Sequence, residues 1–212
     1  MKNEIIILVH GFFKNKKDMA YLEKGLRKSS FNILSVNLPT TFGSIEDCVK
    51  SLHIQVNDIV NEYNDVSYVA HSMGGLIVRD YIKYINQNNV RKCIFIATPH
   101  SGSKLARIAK FIPFYTKIFK PIQSILPDSS FSYHKLNKNV KVGLIAGNRN
   151  KGILGKLFLS EKSDGRVDVC SVKAGDANEM IVLPFGHKEI HKKEETLMYV
   201  KRFLLSGTFG VS

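Results

Sequence analysis

The chain has 212 residues, of which 44% are hydrophobic and 23% charged. That is ordinary usage for one mid-sized globular domain and excludes disordered or fibrous architectures. A chain of this size buries about 70% of the surface it exposes when unfolded, so it needs no metal or disulfide staple. Lys plus Arg outnumber Asp plus Glu by 31 to 18, a net charge of +13, which favours anionic contacts without naming one.

In chain order, short apolar runs alternate with amphipathic segments. The runs are residues 5–9, 31–36, 66–70, 92–97, 140–146 and 180–183, rich in Val, Ile and Leu and without strict polar alternation. Such runs suit strands of a parallel sheet covered on both faces. Between them, residues 17–28, 45–63 and 76–86 carry apolar residues at three- and four-residue spacing, and 194–205 reads as a final amphipathic helix ended by Gly207. Ser44-Ile45-Glu46-Asp47 predicts a capping box at the start of the second helix. The pattern predicts an α/β three-layer sandwich of about six mostly parallel strands. Residues 104–138 break the rhythm, with Pro113, Pro121 and Pro127 among Ile, Phe, Tyr and Lys. They are expected to form a lid-like insertion within a single domain covering 1–212.

Cys48, Cys93 and Cys170 show no metal-binding spacing and are expected to be buried or partly buried free thiols. The five-residue apolar run near the N-terminus lacks the length and cleavage site of a secretion signal, and no stretch approaches a membrane span. The expected location is cytoplasmic.

The strongest chemical signal is Val69-Ala70-His71-Ser72-Met73-Gly74-Gly75. A strand ends, a serine stands at a sharp corner, and a helix begins at once, with small residues two places before and after the serine. Ser72 is the expected nucleophile, and Met73 is expected to offer its backbone N–H to a developing oxyanion. Leu8-Val9-His10-Gly11-Phe12 ends the first strand in a turn that directs the Phe12 N–H to the same place. A base and an orienting acid should follow in the order acid, then His. His187, just after the last strand, is the expected base, whereas His191 is expected on the solvated surface. Asp164, before Gly165, is the better-placed acid; Asp168, in an alternating Val167/Val169 segment, is expected to face solvent. His10, His71 and His100 are expected to line the substrate site.

These segments, with Ala97-Thr98-Pro99-His100-Ser101-Gly102-Ser103, Ser163-Asp164-Gly165-Arg166-Val167 and Phe185-Gly186-His187, resemble the α/β-hydrolase superfamily, and within it the small lipase-like serine esterases. The resemblance runs from residue 5 to about 205. Ala70 stands where the family pattern has glycine, and the family's first two antiparallel strands are expected to be absent. The resemblance implies Asp164 as the triad acid and His187 as the base, acyl-enzyme ester hydrolysis, and no metal or organic cofactor. The expected partner is a small-molecule or lipid ester, with transient contact to anionic membrane through the insertion and no nucleic acid. Thioesterase or acyltransferase chemistry would use the same residues, and a catalytically silent scaffold acting as a binding protein would retain the fold.

Overall fold

The structure, a computed structural model, describes residues 2–102, 133–150, 159 and 162–210. In these, six strands form one sheet: β1 (Lys2–Val9), β2 (Asn32–Ser35), β3 (Tyr63–His71), β4 (Val90–Ile96), β5 (Lys141–Gly147) and β6 (Glu179–Leu183). The order is β2-β1-β3-β4-β5-β6, with every pairing parallel. The helices are α1 (Ala20–Arg27), α2 (Ile45–Val60), α3 (Gly74–Ile85), the single turn α4 (Val169–Val172) and α5 (Glu194–Ser206).

The continuous apolar character of the strands follows from burial on both faces. Ile5, Ile7 and Val9 pack with α2 and α3 residues such as Leu52, Val56, Ile77 and Tyr81. Ile6 and Leu8, pointing the other way, pack with Leu22 and Leu26 of α1 and Val200, Phe203 and Leu204 of α5. Strand addition runs one way from β1 to β2 and back across β1 to β3. The connecting helix changes face at that reversal, as right-handed crossovers require. Registers such as Val9↔Ala70, His71↔Ile96 and Gly147↔Leu183 align the carboxyl ends of the strands. The segments following β1, β3, β4, β5 and β6 therefore emerge along one edge, at the crevice where such sheets bind ligands.

Local chemistry sets the boundaries. Ser44 caps α2 in a reciprocal box with Asp47. Gly207, at φ 78°, ends α5 in the left-handed conformation. The first amphipathic segment divides into a 3-10 turn (Lys16–Met19) and α1, because the Asn15 side chain accepts from the Lys17 N–H and tightens the entry. α2 stops at Val60 rather than 63, since Tyr63 already pairs with β1. α1 and α5 approach closely at Gly25, where a Cβ would meet the Leu197 side chain. Most of the 104–138 insertion lies outside the described residues. Among the described residues, no helix is long and apolar enough to cross a membrane.

Candidate active site

Ser72 occupies the corner between β3 and α3 at φ 55°, a left-handed conformation that is costly for a residue with a Cβ. The corner is held by its backbone: the Ser72 N–H donates to Ile96 O at 2.8 Å, and Ser72 O accepts from the Thr98 hydroxyl at 2.9 Å and the Gly75 N–H at 3.1 Å. The small flanking residues have a steric reason. A Cβ on Gly74 would lie 2.6 Å from His10 O and 2.8 Å from Val9 O, so α3 can begin against the end of β1 only with glycine there. Gly11 plays the same part from the opposite side, since a Cβ on it would come within 2.9 Å of Ser72 Cβ.

Two further side chains meet the serine. His187 Nε2 lies 3.0 Å from Ser72 Oγ, and His187 Nδ1 lies 2.7 Å from Asp164 Oδ2. Asp164 accepts the Nδ1 proton, leaving Nε2 as the bare nitrogen that accepts from the hydroxyl. The other carboxylate oxygen of Asp164 accepts from the Arg166 N–H at 2.9 Å and the Val167 N–H at 2.7 Å, which fixes the side chain. The His187 N–H donates to Asp164 O at 2.9 Å. Gly147, at the end of β5, makes room for this loop pair, because a Cβ there would collide with Phe185 O and Asp164 Cβ. A glycine closing an apolar strand is the sequence signal for that approach.

The backbone of Gly11 thus passes beside Ser72. Across the corner, the Met73 N–H meets no hydrogen-bond acceptor among the described residues. Residues 1–125 match the family described as "Putative serine esterase (DUF676)". The chain belongs to this family. Its fold is that of the α/β-hydrolases, and it is an esterase-like hydrolase. The Bacillus licheniformis lipase BlEst2 in mature form is similar at 19% identity and TM-score 0.78, over 96% of this chain and 91% of that one. The metagenomic carboxyl esterase MGS0156 is similar at 13% identity and TM-score 0.74, over 88% of this chain and 65% of that one. The phospholipase PlaB from Legionella pneumophila is similar at 16% identity and TM-score 0.71, over 98% of this chain and 60% of that one. No curated protein sequence matches this serine esterase family member.

Several expectations for this esterase need correction. His10 is fully buried: its Nε2 accepts from the Leu38 N–H at 3.0 Å and its Nδ1 donates to Gly11 O at 3.0 Å. It therefore braces two loops and leaves no ring nitrogen for a substrate. His71 is also buried, with Nε2 3.1 Å from His187 O. His100 donates from Nδ1 to Val172 O at 2.7 Å, and its buried Nε2 has no hydrogen-bond partner among the described residues. Asp168 is buried rather than solvent-facing, because a backbone bridge to Ser163 folds its segment back on itself. Cys48 and Cys93 are buried thiols pushed up to about 12 by desolvation, whereas Cys170 is exposed on α4.

His191, expected on the surface, is 1% exposed. The 3-10 turn Ile190–Lys192 carries it beneath His71, where the two rings stack with centroids 3.9 Å apart. Its Nε2 lies 3.1 Å from Asp18 Oδ2, and Lys192 Nζ donates to Asp18 Oδ1 at 2.7 Å. Despite desolvation, these partners hold the Asp18 carboxyl well below the usual carboxylate range. Burial lowers both His71, strongly, and His191. Asp18, His71 and His191 place one ligand atom each within 4.8 Å of one another, a grouping that could hold a metal ion. Asp18 had no sequence signal, since its partners lie at the far end of the chain.

Proposed function

We propose that this protein hydrolyses carboxylic esters through an acyl-enzyme, with Ser72 as nucleophile, His187 as general base and then acid, and Asp164 as the orienting carboxylate. The observation carrying this reading is the continuous contact from Asp164 Oδ2 through His187 to Ser72 Oγ, at 2.7 and 3.0 Å. His187 removes the hydroxyl proton as Ser72 Oγ attacks the ester carbonyl. Asp164 stabilises the imidazolium that forms. The oxyanion is received by the N–H groups of Phe12 and Met73, the latter aided by the positive end of α3. His187 protonates the departing alcohol, and water repeats the sequence to release the acid.

The substrate reading is an acyl ester of medium or longer chain. Phe13 and Phe42, 60% and 62% exposed, extend from the loops after β1 and β2 at the same sheet edge, offering apolar surface to such a chain. The interleaved apolar and basic residues of segment 104–138 suit transient contact with anionic membrane.

Ser72→Ala is expected to lower p-nitrophenyl ester turnover by about 10⁴-fold or more while retaining the far-ultraviolet circular dichroism of the wild type. Wild type should also take a fluorophosphonate label that the variant refuses. Equal turnover by the two proteins would exclude Ser72 as nucleophile. A wild type that folds but neither labels nor turns over esters or thioesters would leave the silent-scaffold alternative. Fastest cleavage of acetate esters in an acyl-length series would contradict the chain-length preference.

A further inference from the structure

Three buried polar side chains, Asp18, His71 and His191, take no part in the chemistry just described, yet they lie directly behind it. We propose that His71, stacked on His191 and anchored through it to Asp18, is a positioning residue that holds His187 at proton-transfer distance from Ser72. The inference rests on the triad reading above and adds to it the device that sets its spacing.

The His187 carbonyl can only accept a hydrogen bond, so the contact at 3.1 Å requires the proton of His71 to reside on Nε2. The main chain of His187 is thereby pinned on both sides: its N–H to Asp164 O at 2.9 Å and its C=O to the His71 ring. His71 is joined by one peptide bond to Ser72. A side-chain strut therefore links the nucleophile's corner to the turn carrying the base, in addition to the contact between His187 Nε2 and Ser72 Oγ. The His71 ring lies 4.9 Å from the His187 ring and 3.9 Å from that of His191, the latter tilted by 28°. That stack sets the plane of the strut. Asp18, from the 3-10 turn before α1, lies with Oδ2 3.1 Å from His191 Nε2 and is paired through Oδ1 with Lys192.

A divalent cation is the alternative occupant of this cluster, since His71 Nδ1 carries no proton and faces Asp18 Oδ2 at 3.9 Å. The geometry disfavours it. Ring lone pairs lie in the ring planes, and two stacked rings direct theirs side by side rather than toward one point. The Lys192 ammonium, 2.7 Å from Asp18, repels a second positive charge.

The test compares His71→Gln, whose amide can still donate to the His187 carbonyl, with His71→Leu, which cannot. Catalysis is measured as kcat per fluorophosphonate-titrated site. His71→Leu is expected to lose about 10- to 100-fold in kcat with little change in KM, and His71→Gln to stay within about threefold of wild type, the scale of a misplacement near 1 Å and its repair. A purely structural role would reduce the number of titratable sites in both variants and leave kcat per site unchanged, which would overturn the proposal. A second readout needs no substrate: the low-field imidazole proton of the His187–Asp164 bond should persist in wild type and His71→Gln and broaden in His71→Leu. The same sharp resonance in all three proteins would also overturn it. So would stoichiometric zinc retained by wild type in equilibrium dialysis and lost in Asp18→Asn. A failure of ester turnover in wild type with the proton signal behaving as expected would count against the functional reading alone.

Discussion

Asp164 has four lone-pair directions and uses them asymmetrically: Oδ1 takes two backbone N–H donors and Oδ2 faces His187. The carboxylate therefore cannot turn without breaking both backbone bonds. Asp164→Asn is expected to keep that anchoring but to present an amide donor to His187 Nδ1, favouring the tautomer whose Nε2 can no longer accept from Ser72. A fall in kcat of about 10⁴ should follow, measured on the folded variant; a fall below tenfold would remove Asp164 from the triad reading. At this scale the sequence was informative where a residue's role is local. Ser72, Gly74 and the Asp164-Gly165 turn announce themselves by what stands next to them. His191 and Asp168 do not, because their burial depends on a ring and a backbone bridge supplied from elsewhere in the fold.

Elements were legible wherever periodicity and caps agree. All six strands and the long helices follow from their apolar patterns, and the box joining Ser44 and Asp47 is present as its spacing requires. Ser44→Ala is expected to remove one of those two bonds and cost about 1 kcal/mol, read as a lower urea midpoint at unchanged m-value. An unchanged midpoint would mean that the helix entry is held by packing alone. The boundaries were less legible, since hydrogen bonds rather than hydropathy decide them. Asn15 converts the start of the first helix to a 3-10 turn, and cross-strand pairing claims Tyr63 for β3. The short turn α4 arises where residues 167–169 alternate like a strand but close on Lys162 and Ser163 instead.

For the whole molecule, the layered architecture could be read from strand–helix alternation, but the clustering of neutral histidines could not. Burial lowers His10, His71 and His191, and brings His100 down to about 3. Below the ordinary histidine value of 6.5 the unfolded chain takes up protons that the folded one refuses, so stability must fall with acidification. Each such histidine contributes up to about 1.4 kcal/mol per pH unit in that window. Asp18, with its carboxyl lowered, acts in the same sense as the histidines but only below about 3.8, where its support is lost as the unfolded carboxyl protonates. The urea midpoint is therefore expected to drop on going from pH 7 to pH 5; an equal midpoint at both would contradict the buried neutral state.

The notch at Gly25 that receives Leu197 has a consequence for biosynthesis. The helix lining one face of the sheet from the start of the chain finds its neighbour only near the other end. Until α5 leaves the ribosome, Leu22, Leu26, Ile6 and Leu8 lack the cover that Val200, Phe203 and Leu204 later provide. Until α5 has emerged and packed, that face of the sheet keeps only part of its cover, the stage at which a chaperone would find it.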